Sequence, residues 1–352
     1  MYFYAGIVAF GIKLYMSKPT IKELAKELGL AVSTVSKALR DSYEISAGTK
    51  ARVLELATKL NYIANPYASS LRRQRSRTIA VVIPEVADSF FSLAINGIEA
   101  VAREKGYHVL IYLSHESLAR EVEILNEFKS GRVDGLLISV ARQTCLGTHI
   151  ADAISSGLPV VFFDRKCEGV NSAKVITDDF ESSVRATQHM IEKGCRRIAF
   201  LSISQNLSIL KKREEGYLAA LQKAGIKTDE RDIITCEGTD EENYQLIKEL
   251  LKKKNRPDGI IASVEKLVPQ VYLVCKELKL NIPQKIKITG FTNLQTASLL
   301  DPPLTTVTQP AFEMGKTAAI LLFKGIEKPE FNLAGEKEII PSSFQIREST
   351  DF

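Results

Sequence analysis

From residue 78 onward the sequence alternates short apolar, often β-branched runs with amphipathic stretches. RTIAVVIPEV reads as a buried strand, FFSLAINGIEAVAREKG as a helix and HVLIYL as a second strand. REVEILNEFKSG, VDGLLIS, a further helix and LPVVFFD continue the rhythm. Alternation of this kind is satisfied by a parallel, doubly wound sheet. The pattern then recurs. RRIAFLSI parallels RTIAVVIP, with Ile198 lying 119 residues after Ile79, and PDGIIAS parallels VDGLLIS, with Asp258 lying 124 after Asp134. Two similar α/β lobes are expected, built one after the other. The carboxyl ends of both sheets would then meet at a shared cleft, the usual place for a small ligand.

Charge separates this body from what precedes it. Of 352 residues, those from 17 to 77 carry twelve Lys/Arg against five Asp/Glu, a net +7. Residues 78–352 carry 34 basic and 37 acidic groups, a net −3. A small basic head on a mildly acidic body points to a polyanion partner for the head, although a basic surface without a nucleic-acid role has the same charge.

The head reads as three short helices. Thr20 followed by Glu23 forms a capping box, and Ile21, Leu24, Ala25 and Leu28 supply an apolar stripe. Gly29 ends that helix at little conformational cost. Val32, Val35, Ala38 and Leu39 line one side of a second helix, which makes a helix-turn-helix. Ala31 stands where Ser, Thr, Asp or Asn would cap it better. The third helix starts after Ser46 and carries Val53, Leu54, Ala57 and Leu60. Ser33, Thr34, Ser36, Lys37 and Arg40 face outward on the second helix and suit phosphates and base edges, as they would equally suit a solvated surface. NYIANPYASSLRRQRSR then offers Asn65 as a helix cap and Pro66 at the first helical position. So short a helix is marginal alone, but in a minor groove Ala68 and Ser69 could lie against the sugars with Leu71 as an apolar wedge. The competing reading is a basic interdomain linker.

Other chemistries lack their residues. The five cysteines lie far apart with no C-x-x-C and no Cys/His cluster, so neither a zinc site nor a redox pair is indicated. An odd count without a framework fits a reducing cytoplasm. No G-x-G-x-x-G, G-x-S-x-G or H-E-x-x-H occurs, and MGKT at Met314–Thr317 has Pro310 where a phosphate loop needs Gly. LTTVTQPAFEMGKTAAILLF reads instead as a strand followed by an amphipathic helix. No enzyme, metal or cofactor is expected. MYFYAGIVAFGIKLY is too short to span a bilayer, which needs about 20 apolar residues, and lacks the flanks of a signal peptide. Met16 opens MSKPT, so residues 1–16 are expected to be a non-native or disordered extension rather than a membrane tether.

Taken in order, TIKELAKELGLAVSTVSKAL, LNYIANPYASSLR, GLPVVFFDR, KREEGYLAAL, PPLTTVTQP, EMG and the terminal IREST resemble the lactose-repressor (LacI/GalR) family of transcription regulators. The resemblance runs from about Pro19 to Thr350. It implies a cytoplasmic homodimer, acting as a repressor, on a pseudo-palindromic double-stranded operator. It implies a helix-turn-helix in the major groove, paired hinge helices in the minor groove, and a small effector, a sugar or related metabolite, between the lobes. On this likeness Val32, Ser33 and Lys37 take base-reading positions, and Thr20, Thr34, Ser36 and Asn65 contact the DNA backbone. Leu71 matches the intercalating hinge leucine, and Ile21, Arg40, Tyr62 and Ala68 complete the DNA-facing set. Phe90, Phe91, Asp164, Arg165, Arg213, Glu265 and Phe291 fall at effector positions. Arg213 is fixed in register by R-x-x-G-Y, and its guanidinium is expected to hold hydroxyls or a carboxylate through two bonds. Phe91 is expected either to stack on a sugar face or to form an apolar wall.

Three places depart from the family pattern. Its Asn-Pro-Phe-Phe is Asp88-Ser89-Phe90-Phe91 here, its Asn-Asp pair is Val264-Glu265, and its Gly-Phe-Asp-Asp ends in Thr292-Asn293. A hexose contact scheme therefore does not carry over. The absence of a leucine-heptad tail favours a dimer over a tetramer. The expected division is a helix-turn-helix domain over 17–63, a hinge helix and linker over 64–77, and a two-lobed body over 78–352. Lobe 1 is expected at about 78–176 plus 307–328, and lobe 2 at about 177–306 plus 329–352. A solute receptor would share the body but lack the +7 head, and an enzyme on this fold would need a catalytic constellation.

Overall fold

The computed structural model describes residues 19–62 and 76–351. The expectations for residues 1–16 and for Asn65, Ala68 and Leu71 lie outside the described residues. The chain divides into two compact units, parted between Arg73 and Gln74.

The first unit contains α1 (Ile21–Leu28), α2 (Val32–Ala38) and α3 (Ala47–Lys59). The capping box is present: Glu23 Oε2 accepts from the Thr20 N–H at 2.6 Å while Thr20 Oγ1 accepts from the Glu23 N–H. Gly29 closes α1 at φ +64°, the left-handed region where only glycine is unstrained. Ala31 precedes α2 and gives it no side-chain cap. Leu24, Ala25, Val35, Ala38, Val53, Leu56 and Ala57 form the core of this unit. Its larger side chains contribute roughly 1.5–3 kcal/mol each on burial.

The second unit holds two six-stranded sheets. The first runs in the order β11-β5-β4-β3-β1-β2, built from β1 (Thr78–Ile83), β2 (His108–Leu113), β3 (Gly135–Ile138), β4 (Val160–Phe163), β5 (Ala173–Thr177) and β11 (Lys337–Ile340). The second runs β12-β10-β9-β8-β6-β7, from β6 (Ile198–Ser202), β7 (Ile233–Thr235), β8 (Gly259–Ala262), β9 (Lys287–Phe291), β10 (Thr305–Thr308) and β12 (Ser343–Gln345). All pairings are parallel except β10 with β12. Helices α4 (Ser89–Glu104), α5 (Leu118–Phe128) and α6 (Thr148–Ser155) belong to the first lobe, α7 (Asp179–Glu192), α8 (Ser208–Lys223), α9 (Asp240–Lys252) and α10 (Leu267–Glu277) to the second. The duplication seen in sequence is kept in register: Ile79 pairs with Gly135 in one sheet and Ile198 with Gly259 in the other.

Helix α11 (Ala311–Glu327) returns to the first lobe and packs on α4. The motif Glu313-Met314-Gly315 explains the closeness of that contact, since a Cβ on Gly315 would meet the Ala94 carbonyl oxygen at 2.0 Å. One expectation needs correcting. Residues 329–352 do not belong wholly to the second lobe, because β11 pairs with β5, Lys337 opposite Lys174, and extends the first sheet. Val307 and Thr308 conversely lie in β10 of the second sheet. The chain therefore crosses between lobes after β5, after β10 and between β11 and β12. Strand β11 escaped notice because an edge strand needs no continuous apolar run: its first three residues are exposed.

Candidate functional site

In the head, the residues singled out from the sequence divide by exposure. Ser33 and Lys37 are exposed on α2 and Arg40 is exposed just beyond its end, while Thr34 and Ser36 are half-buried. Lys37 is ion-paired with Glu44, and Arg40 Nε donates to the Ser36 carbonyl at 3.0 Å. Both partners of the Lys37 pair are about half exposed, so the pair stabilises little and yields readily to a phosphate. Ile21, Val32 and Tyr62 are half-buried and pack against the head core. Burial holds the Tyr62 hydroxyl above its ordinary pKa. Thr20 is committed to the cap of α1 but remains exposed at the helix N-terminus, where backbone N–H groups favour an anion.

In the body, all seven residues expected at the effector line one cavity between the lobes, enclosing about 350 Å³ including its mouth. It is built from the carboxyl ends of strands, as the doubly wound topology demands. Asp164 follows β4 at φ +60°, a left-handed turn that Asp tolerates better than most residues and that directs the chain away from the sheet. Its Oδ1 accepts from Gln309 Nε2 at 3.1 Å. Arg165 follows at once, with NH1 donating to both carboxylate oxygens of Glu116 at 3.0 Å. Its Nε has no hydrogen-bond partner among the described residues.

Arg213 sits on α8, one turn before Gly216. A Cβ on Gly216 would meet the Phe180 carbonyl oxygen at 2.3 Å, so glycine lets α8 lie tightly on α7. Tyr217 Oη donates to the Ile198 carbonyl at 2.7 Å and locks the helix rotation. Arg213 is thereby pressed inward, 2% exposed, with its guanidinium carbon 4.3 Å from the centre of the Phe291 ring. Its Nε donates to Asp179 Oδ1 at 2.7 Å and NH1 to the Ser263 carbonyl at 2.6 Å. Three of its five N–H donors stay unused, so the two bonds expected of Arg213 would come from NH2 and the second N–H of NH1. Two of its nitrogens serve the protein, and NH2 alone has no hydrogen-bond partner among the described residues.

Phe90 and Phe91 are both nearly fully buried, their rings edge to face at 5.3 Å, and Phe91 also meets Phe163 edge-on. Phe91 thus acts as cleft wall and core at once, with the Arg165 guanidinium carbon 5.6 Å from its ring centre. Glu265 lines the cavity but is already engaged. Oε1 accepts from the Ser89 N–H at 2.9 Å, and Oε2 accepts from Ser89 Oγ, Thr292 Oγ1 and the Asn293 N–H.

Sequence reasoning did not place Asp179, Ile209, Gln309 or Glu116 at the site. Gln309 stands directly beyond β10 and Asp179 two residues beyond β5, so strand ends were the available signal. Asp88, Thr292 and Asn293, noted as departures from the family pattern, also line the cavity. Asn293 Nδ2 donates to the Gln309 carbonyl at 2.6 Å, and its Oδ1 lacks a hydrogen-bond partner among the described residues. Burial, with the nearby Glu265 charge, raises Asp88 to about 6. Burial likewise raises Asp179 to about 6, against the pull of Arg213, and holds Asp164 above the usual carboxylate range.

A helix-turn-helix head followed by a two-lobed, ligand-binding body defines the class: a DNA-binding regulator that responds to a small molecule. Residues 20–65 match the model for bacterial regulatory proteins of the lacI family, and residues 76–348 that for periplasmic binding proteins and the sugar-binding domain of the LacI family. The chain is 32% identical over 309 residues to the ribose operon repressor of Bacillus subtilis strain 168, spanning 88% of this chain and 92% of that protein. A LacI-family regulator from Enterococcus faecium, solved with bound ribose, is 29% identical with a TM-score of 0.68, covering 77% of this chain and 98% of that one. The Lac repressor dimer bound to operator and an anti-inducer shares the fold, with a TM-score of 0.81 at 20% identity, covering 95% and 99%. The chain belongs to the LacI family. It is a transcription regulator whose DNA binding is controlled by a small-molecule effector, and not an enzyme. Among the described residues no helix is long and apolar enough to cross a membrane.

Proposed function

We propose that this regulator is a cytoplasmic homodimeric repressor whose effector is a small neutral monosaccharide of the ribose class, held between the lobes. The observation that carries this reading is the set of buried polar atoms without hydrogen-bond partners among the described residues, beside aromatic rings: Arg213 NH2, Arg165 Nε and Asn293 Oδ1, near Phe91 and Phe291. Buried polar groups call for hydrogen bonds, and a ring bearing several hydroxyls supplies them from one small volume. Charge argues for a neutral ligand. The guanidinium groups of Arg165 and Arg213 are paired with Glu116 and Asp179, while Asp88, Asp164 and Glu265 add further carboxylates. A phosphate would meet a net negative wall. The names of the Bacillus ribose operon repressor and of the ribose-bound Enterococcus regulator agree with this choice.

For the head we propose the base-reading role for Ser33 and Lys37, with Val32 packed at the protein–DNA boundary. Thr20, Thr34, Ser36 and Arg40 would contact backbone. The proposed division keeps 17–63 as the reading domain, 64–77 as hinge and linker and 78–352 as body, with 337–340 assigned to the first lobe. Exposed apolar side chains on the edge strand β2 (Leu110, Ile111) and on α11 (Phe312, Ile320) support self-association through the first lobe.

Titration calorimetry of the full-length protein with D-ribose, D-glucose and D-ribose 5-phosphate tests the effector. D-Ribose should bind, and D-ribose 5-phosphate should bind more weakly. Tighter binding of the phosphate ester would overturn the neutral-ligand reading.

A further inference from the structure

The three departures from the family pattern meet at one carboxylate. Ser89 is the first residue of α4 in the first lobe; Glu265 lies between β8 and α10 in the second, and Thr292 and Asn293 follow β9 in the second. Glu265 gathers all of them, receiving both the N–H and the Oγ of Ser89 from across the cleft and two donors from its own lobe. A proline at 89 has neither donor. An ionised carboxylate accepts about four hydrogen bonds at its two oxygens. Four are made here, three on Oε2 and one on Oε1, so at most one lone pair remains for anything in the cleft. Glu265 is also 9% exposed, and a buried carboxylate is tolerated only where donors surround it.

We propose that Glu265 is an interlobe latch, which holds the cleft closed in the effector-free protein through Ser89 and is not itself a contact for the effector. Separating the lobes removes two of its four donors at once. A second bond crosses at the rim, Arg142 NH1 to the Ile203 carbonyl at 3.4 Å, but it is long, and Glu265 supplies the stronger tie. The latch changes what the effector has to accomplish. A ligand shifts a two-state protein only by its differential affinity for the two states, and here the closed state is populated beforehand. Position 265 therefore sets specificity indirectly, by withdrawing a carboxylate from the pocket and leaving recognition to Arg165, Arg213 and Asn293.

Hydrogen–deuterium exchange on the full-length, effector-free protein tests this without any ligand, and so independently of the ribose proposal. In the wild type the segments 88–92 and 292–295, one in each lobe, should both be protected. In Glu265→Gln both should exchange faster together, by on the order of tenfold, as a local opening reports. Ser89→Ala keeps the Asn293 N–H bond to Glu265 chemically intact, yet it too should speed exchange at 292–295 in the opposite lobe. Should Glu265→Gln fail to fold, Ser89→Ala carries the test alone, because it deletes a single hydroxyl on a half-buried residue. Faster exchange confined to the substituted lobe, or no change in either segment, overturns the latch.

Discussion

Asp134 and Asp258 hold equivalent places in the two lobes, each just before the strand that pairs with the first strand of its lobe, and each carboxylate gathers backbone N–H groups. Asp134 accepts from Arg77 at 3.0 Å and from Ser76, whose Oγ also donates at 2.8 Å. Asp258 accepts from Arg196 and Arg197, each at 2.9 Å. The internal duplication thus preserved a clamp. In the second lobe it only starts a strand, whereas in the first it also pins Ser76, the first described residue of the second unit. Asp134→Ala and Asp258→Ala should each lower stability by about 1–3 kcal/mol, the cost of leaving half-buried donors unpaired. Asp134→Ala alone should weaken operator binding as well. Urea denaturation and fluorescence anisotropy with an operator fragment check this, and equal operator affinities for the two variants would contradict it.

Arg213 is less a free hand for the effector than the keystone of a buried pair. Removing it leaves Asp179, already raised to about 6 by burial, without the cation that opposes the rise. Breaking one side of such a pair costs about 3–5 kcal/mol, while replacing both members by apolar residues is often near neutral. Arg213→Ala should therefore lose both stability and effector response. Arg213→Met combined with Asp179→Leu should recover most of the stability and none of the response. Thermal denaturation with and without D-ribose distinguishes the two losses, and a double variant that still gains stability from the sugar would show that NH2 is not a contact.

Much of this arrangement is legible in the sequence. The two lobes were readable because duplicated motifs such as VDGLLIS and PDGIIAS fix the same strand pairing twice, Gly135 beside Ile79 and Gly259 beside Ile198. The seven cleft residues converge because strand ends converge in this topology. What could not be read was the partner of each group. Asp179 and Arg213 are 34 residues apart, Glu265 and Ser89 lie 176 apart, and only the mutual placement of α7, α8 and the two lobes joins them. The four bonds of Glu265 were consequently invisible in the sequence, and β11, with its exposed edge, looked like part of the tail of the second lobe.

The acidity of Asp88 makes stability depend on pH in a definite direction. Burial and the Glu265 charge raise its pKa from 3.8 to about 6, so the folded chain holds this proton more tightly than the unfolded chain. Its favourable contribution is full below about 3.8 and is lost as pH rises through about 6. Asn at this position keeps a helix cap for α4 but carries no charge. Asp88→Asn should thus be more stable than wild type at pH 7.5, by roughly 1–2 kcal/mol after allowing for water around this half-buried group. At pH 4 the difference should vanish. Urea midpoints at the two pH values measure it, and a gain that persists at pH 4 would assign the effect to packing instead.

Ala31 leaves α2 without a side-chain cap, in a helix of seven residues whose isolated stability is marginal. Its backbone is already extended, φ −67° and ψ 145°, the geometry in which a serine Oγ reaches back to the N–H groups of the first turn. No rearrangement is needed to install one. Neighbouring helices show the contrast, since Thr20 caps α1 and Ser46 Oγ accepts from the Thr49 N–H at the start of α3. Ala31→Ser should stabilise the head by about 0.5–2 kcal/mol. It should also tighten operator binding, because a firmer α2 presents Ser33 and Lys37 with less ordering cost, and the new hydroxyl can itself donate to a phosphate. Backbone contacts carry no sequence information, so the gain should be uniform across operator variants. Affinities measured against a panel of single-base operator substitutions decide the point: a parallel shift for every member fits a cap, whereas a changed order of preference would make residue 31 a reader of sequence.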